Sequence, residues 1–131
     1  MTLTVRTEPS RGRLFKLFTD LGPYFRKLQS TESSFFFDCL EICINSEDEP
    51  EQREFYGWWL VVTREENIFY FQRFDGIYNL AGDWVTANLC KQDLQQLDHS
   101  FELFVKRLET LINAETGLRF EALPQVVLTE V

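Results

Sequence analysis

The sequence predicts a single α+β domain: an antiparallel sheet of three to five strands flanked by an N-terminal kinked helix and a long C-terminal amphipathic helix. Three observations carry this. Apolar stripes at helical spacing lie near both ends of the chain, β-branched and aromatic runs separated by turn residues fill its middle, and 131 residues are enough for one core without cross-links. The expected order is α-β-β-β-(β)-α-(β). Residues 1–9 and 124–131 are expected as flexible tails and residues 46–54 as an acidic loop.

The first helix is read from Leu14, Leu17, Phe18, Leu21, Phe25 and Leu28, one stripe of a 3.6-residue repeat, with Ser10 as its N-cap. Gly22-Pro23 interrupts the stripe, so the reading is a kink or two short helices meeting there. Ser34 to Asn45 is a strand with no clean polar face. The acidic loop that follows, with one Pro and one Arg, cannot pack and reads as a solvated connector or arm.

From Phe55 to Phe74 eight of twenty residues are aromatic, at odd and even positions alike. Two strands are expected here, Phe55 to Thr63 and Ile68 to Phe74, joined by a polar turn. Strands with two apolar faces belong between two layers, or on a sheet whose second face meets another chain. Asp75-Gly76 and Ala81-Gly82-Asp83 read as turns around a short fourth strand, Ile77 to Leu80; Trp84 to Leu89 is ambiguous between elements. Leu94, Leu97, Phe101, Phe104, Val105, Leu108, Leu111 and Ile112 then mark a helix from about Lys91 to Ala114, stopped near Gly117. Heptads through this helix would permit a coiled-coil partner, but the wider stripe suits packing on the sheet. The tail from Leu118 reads as an edge strand or a mobile apolar end.

A hydrophobic content of 44% places the chain among folded proteins. Its net charge of −8 is uneven, +4 over residues 1 to 30 and −12 over the rest. The acidic body disfavours nucleic acid, whose phosphates need Lys and Arg, and favours basic or apolar partners. No apolar run approaches the roughly 20 residues of a membrane span. With no apolar signal core at the N-terminus and an odd count of three cysteines, Cys39, Cys43 and Cys90, the expected location is cytoplasmic.

Chemistry is sparse. The single histidine, His99, sits off the apolar stripe of the long helix, so no metal site, cofactor or catalytic group is assigned. Asp38 shares its strand face with Phe36, Leu40 and Ile42 and so needs a partner, Arg64 or Arg73 being the candidates.

The reading this supports is a non-enzymatic protein-binding module, an adaptor, assembly factor or dedicated chaperone that offers aromatic sheet surface to another protein. The candidate partner-binding residues are Tyr56, Trp58, Trp59, Phe69, Tyr70 and Phe74. Two sets are distinguished, Tyr56, Trp58, Tyr70 and Phe74 against Trp59, Phe69 and Phe71, without a choice of which set is exposed. Self-association into a homodimer is a further use of such a surface. In size, charge and element order alone the chain resembles the small acidic α+β chaperones of bacterial secretion systems. The alternative is a small-molecule or enzymatic pocket between sheet and long helix, near Asp38, Tyr56, Tyr70 and Arg73. A third reading, single-stranded nucleic acid stacked on the sheet aromatics, is opposed by net charge.

Overall fold

The structure, a computed structural model, describes residues 9–123; the remainder of both expected tails lies outside them. Its elements are α1 (Arg11–Asp20), β1 (Ser34–Cys43), β2 (Phe55–Glu65), β3 (Ile68–Tyr78), β4 (Trp84–Thr86), α2 (Lys91–Thr116) and β5 (Arg119–Ala122), with 3₁₀ turns at Lys27–Gln29 and Pro50–Gln52. This is the α+β architecture that the residue patterns predict. No helix among the described residues is long and apolar enough to cross a membrane.

The sheet runs β1-β2-β3, and the far edge of β3 is shared. β4 pairs there antiparallel at Gly76–Tyr78, and β5 pairs parallel at Ile68–Phe71. The sheet is therefore mixed. A parallel neighbour needs a long connection, and α2 supplies it.

Two local expectations are corrected and one ambiguous segment is resolved. No second α-helix follows the kink: after α1, capped by the Ser10 hydroxyl at Arg13 N–H (3.2 Å), Gly22 takes φ 149°. Pro23 cannot donate, and the chain instead runs along β1, where Arg26 N–H donates to Phe36 C=O (2.8 Å) and Asp38 N–H to Tyr24 C=O (2.9 Å). Leu28 consequently leaves the stripe and is 98% exposed. Asp75-Gly76 is no turn but the middle of β3, which continues through Tyr78 and absorbs the predicted fourth strand. Gly76 is required because a Cβ there would stand 2.0 Å from the Val85 carbonyl oxygen of β4. Finally, Trp84 begins β4. The acidic loop is also more ordered than its composition suggests: Asn45 donates to Asp48 Oδ2 (2.8 Å) and Gln52 C=O (2.7 Å) and accepts from Glu54 N–H (2.8 Å).

Both helices contribute to one core on one face of the sheet. Phe15 and Phe18 of α1 meet Phe35 and Phe37 through edge-on ring contacts, and Leu14 is buried in the same core. Leu97, Phe101, Phe104, Leu108 and Ile112 of α2 are buried, as the stripe predicts, while Leu94 and Leu103 face solvent. Gly117 ends α2 in the left-handed region, φ 72°, its N–H bonded to Asn113 C=O (3.0 Å).

Trp58 lies at the centre of this core. It is fully buried, stacked on Phe104 (5.6 Å, 26°) and edge-on to Phe101 (5.3 Å, 84°), and its indole N–H donates to Ser100 Oγ (3.0 Å). Trp58→Ala is expected to lower unfolding free energy in urea by about 3–5 kcal/mol, the range for truncating a large buried aromatic. Trp58→Phe should retain much of that packing and lose chiefly the Ser100 hydrogen bond.

Candidate functional site

The register decides which rings share a face. Leu60 pairs Phe37 and Arg73, Trp58 pairs Cys39 and Asp75, and Val62 pairs Phe35 and Phe71, so these side chains lie on the helix side. Asp38, Trp59 and Phe74 are mutual neighbours on the other side, with Tyr70 opposite Thr63. Of the six predicted binding residues, Trp59, Tyr70 and Phe74 are thus together on the helix-free face. Tyr56, Trp58 and Phe69 point towards the helices, and burial of Trp58 and Phe69 removes both from any surface.

Each of the two predicted sets therefore mixes faces. Alternation within a strand was legible, but the offset between strands was not. The convergence proposed for a pocket fails for the same reason: Asp38 and Tyr70 lie on one face, Tyr56 and Arg73 on the other. Ile42 also changes side. A register shift between Leu40 and Ile42 leaves Glu41 as an extra residue, and Ile42 packs against the core instead of beside Asp38.

On the helix-free face the rings cover one another. Trp59 stacks between Phe74 (5.3 Å, 16°) and Trp84 (4.9 Å, 30°), and Tyr78 leans on Trp84 (5.3 Å, 60°). All four remain half-buried. Trp84 can lie over the sheet because Gly57 has no side chain there. A Cβ on Gly57 would stand 2.8 Å from the Trp84 ring and 2.0 Å from Cys39 C=O.

Asp38 fixes the stack. It is the one side chain of β1 and β2 buried on this face (4% exposed). Its Oδ2 accepts from the Trp84 indole N–H (2.9 Å), and its Oδ1 from Arg26 Nε (2.5 Å). The partner is Arg26, not Arg64 or Arg73; Arg73 instead joins Asp75 (2.9 Å) and Asp98 (2.8 Å) on the helix side. Asp38 thereby ties β4 and the Tyr24–Arg26 connector to β1. Trp84 and Arg26 are the site residues that sequence reasoning missed, since a lone Trp after a turn has no period to reveal its role.

This arrangement presents rings and hydrogen-bonding groups. No group of three or more His, Cys, Asp or Glu able to hold a metal occurs among the described residues. His99 is exposed on α2. The thiol of Cys39 is pushed up to about 12 by burial first, then by its hydrogen bond to Glu41 (3.3 Å). It stays protonated at neutral pH, and the thiolate is the nucleophile.

Comparison with known proteins assigns a family. Residues 1–129 match the family model described as "Sigma factor-binding transcriptional regulator Crl". The chain is similar to the sigma factor-binding protein Crl of Photobacterium profundum, with 38% identity over 114 residues, 87% of this chain and 86% of that protein. It is likewise similar to the proteins of the same name from Vibrio cholerae serotype O1, 37% identical over 76% of this chain and 78% of the relative, and from Vibrio vulnificus, 34% identical over 82% and 84%.

Two outcomes follow from the geometry of the stack. Asp38→Ala removes an acceptor for an indole and a guanidinium together and is expected to cost about 2 kcal/mol, with Asp38→Asn milder because one oxygen is kept. Equilibrium denaturation checks the order. Alkylation of the native protein should modify exposed Cys90 rapidly and buried Cys39 only on unfolding, read by peptide mass mapping.

Proposed function

From the premise that this chain belongs to the Crl family of sigma factor-binding transcriptional regulators, we propose that it binds a sigma factor on the helix-free face of its sheet. The chain is a non-enzymatic protein-binding module. The observation that supports the placement is the half-buried ladder Phe74-Trp59-Trp84-Tyr78, held by Asp38 on the face that neither helix covers.

Trp and Tyr dominate the energetics of protein interfaces because they bury large areas with few rotors to fix. Here the cost of ordering them is reduced further, since stacking and the Asp38 hydrogen bond hold the rings before a partner arrives. Tyr70 extends the same face, as its pairing opposite Thr63 requires. The net charge of −8 suits a partner whose contact surface is basic. Action on a sigma factor places the protein in the cytoplasm under this reading.

The test is binding of the partner sigma factor by calorimetry. Trp59→Ala should leave the melting temperature within a few degrees and weaken binding by about thirtyfold or more, the scale of an interface hot spot near 2 kcal/mol. Tyr70→Ala should weaken it less. Wild-type affinity in the Trp59 variant would remove this face as the docking surface.

A further inference from the structure

Arg26 and Trp84 stand at opposite margins of the sheet, one in the connector that pairs with the outer edge of β1 and the other on β4, yet they share one carboxylate. Asp38 is the meeting point. Its side chain is 5% exposed, whereas that of Arg26 is 40% exposed. The Arg26 main chain is pinned from both sides: its N–H donates to Phe36 C=O (2.8 Å), and its C=O accepts from the Ser30 hydroxyl (2.8 Å), which itself accepts from Phe36 N–H (3.0 Å). Neighbouring rings anchor it further, Phe25 against Phe15 and Phe37, and Tyr24 against Phe104. The path of the connector thus does not depend on its ion pair.

On the ladder side the dependence runs the other way. Trp84 has a single indole N–H, which donates to Asp38 Oδ2 (2.9 Å), and the ring reaches that oxygen by crossing Gly57. A buried carboxylate needs its charge met, and one neutral indole does not meet it. Without the guanidinium, Asp38 is driven to rotate towards water, and a cleft of about 400 Å³, lined by Tyr24, Arg26, Asp38 and Glu41, among others, lies beside it on the connector side. The indole then loses its acceptor.

We propose that Arg26 is a positioning residue for sigma factor binding: its charge keeps Asp38 turned inwards, Asp38 keeps the Trp84 ring across Gly57, and Trp84 completes the stack on Trp59. This rests on the docking face proposed above. The requirement is for positive charge, so Arg26→Lys keeps the latch closed and Arg26→Gln opens it. It is also conditional on a carboxylate at position 38: Asp38→Asn is neutral, still offers the indole an amide oxygen, and leaves no charge for a guanidinium to meet. In that background Arg26 has nothing to position.

The experiment measures two quantities on the full chain: solvent exchange of the Trp indole N–H groups by NMR, and affinity for the partner sigma factor by calorimetry. Arg26→Gln is expected to speed exchange at Trp84 about tenfold or more, to leave Trp58, bonded to Ser100, unchanged, and to weaken binding about fivefold or more. Arg26→Lys should keep both near their wild-type values. In an Asp38→Asn background, Arg26→Gln should alter neither by more than about twofold. Unchanged exchange at Trp84 in the Arg26→Gln chain would overturn the proposal, as would an undiminished loss of affinity in the Asp38→Asn background, which would give Arg26 a direct contact with the partner. Faster exchange with wild-type affinity, while Trp59→Ala binds weakly, would overturn the positioning role as well. Exchange is read on the free protein, so wild-type affinity in the Trp59 variant counts against the docking face and not against the latch.

Discussion

A β-strand places neighbouring side chains on opposite faces, and in β2 the neighbours Trp58 and Trp59 are both indoles. One of them must face away from whatever layer covers the other. The rest of the molecule is organised around this constraint. Trp58 takes the helix side and becomes the centre of a core built from α1, α2 and the inward rings of β1 and β3. Trp59 is left on a face with no helix, where it can be shielded only by side chains of the sheet itself. Phe74 and Trp84 close on it from two neighbouring strands.

The two faces are stabilised by different physics. On the helix side large areas leave water, at roughly 25 cal/mol per Å² of apolar surface, and the few polar groups are paired across layers. Trp58 with Ser100 and Arg73 with Asp98 both fasten the sheet to α2. On the open face little area is hidden, so geometry depends on single contacts: the missing side chain at Gly57, the indole-to-Asp38 bond, and the Arg26 ion pair. A carboxylate buried without donors would be strongly disfavoured, and here two donors meet it. The same pair of bonds joins a short strand late in the chain to a connector early in it.

That division explains how a small, acidic protein keeps aromatic rings on an open face of its sheet. The ladder is ordered by its own stacking and by the Asp38 hydrogen bond to the Trp84 indole. Family membership agrees with a binding role. The resemblance to secretion chaperones in size and charge was therefore compositional, and the match over residues 1–129 is to a transcriptional regulator instead.

Local pattern sufficed for most of the elements. The stripe of α2 and its stop at Gly117, the strand character of Ser34–Cys43 and Phe55–Glu65, and the requirement that the sheet have two apolar faces were all present in residue spacing, because side-chain periodicity is fixed by backbone geometry. Three things were not. Glu41 shifts the register, and Gly76 sits inside a strand because the Val85 carbonyl of β4 comes too close for a Cβ. The union of Trp59, Phe74 and Trp84, and their anchoring through Asp38 to Arg26, depends on offsets between strands, to which a one-residue slip would give the opposite face. The sequence alone determined that rings must occupy both faces of this sheet. Only the tertiary structure decided which rings stand together, because pairing register is a property of two strands at once and cannot be read from either.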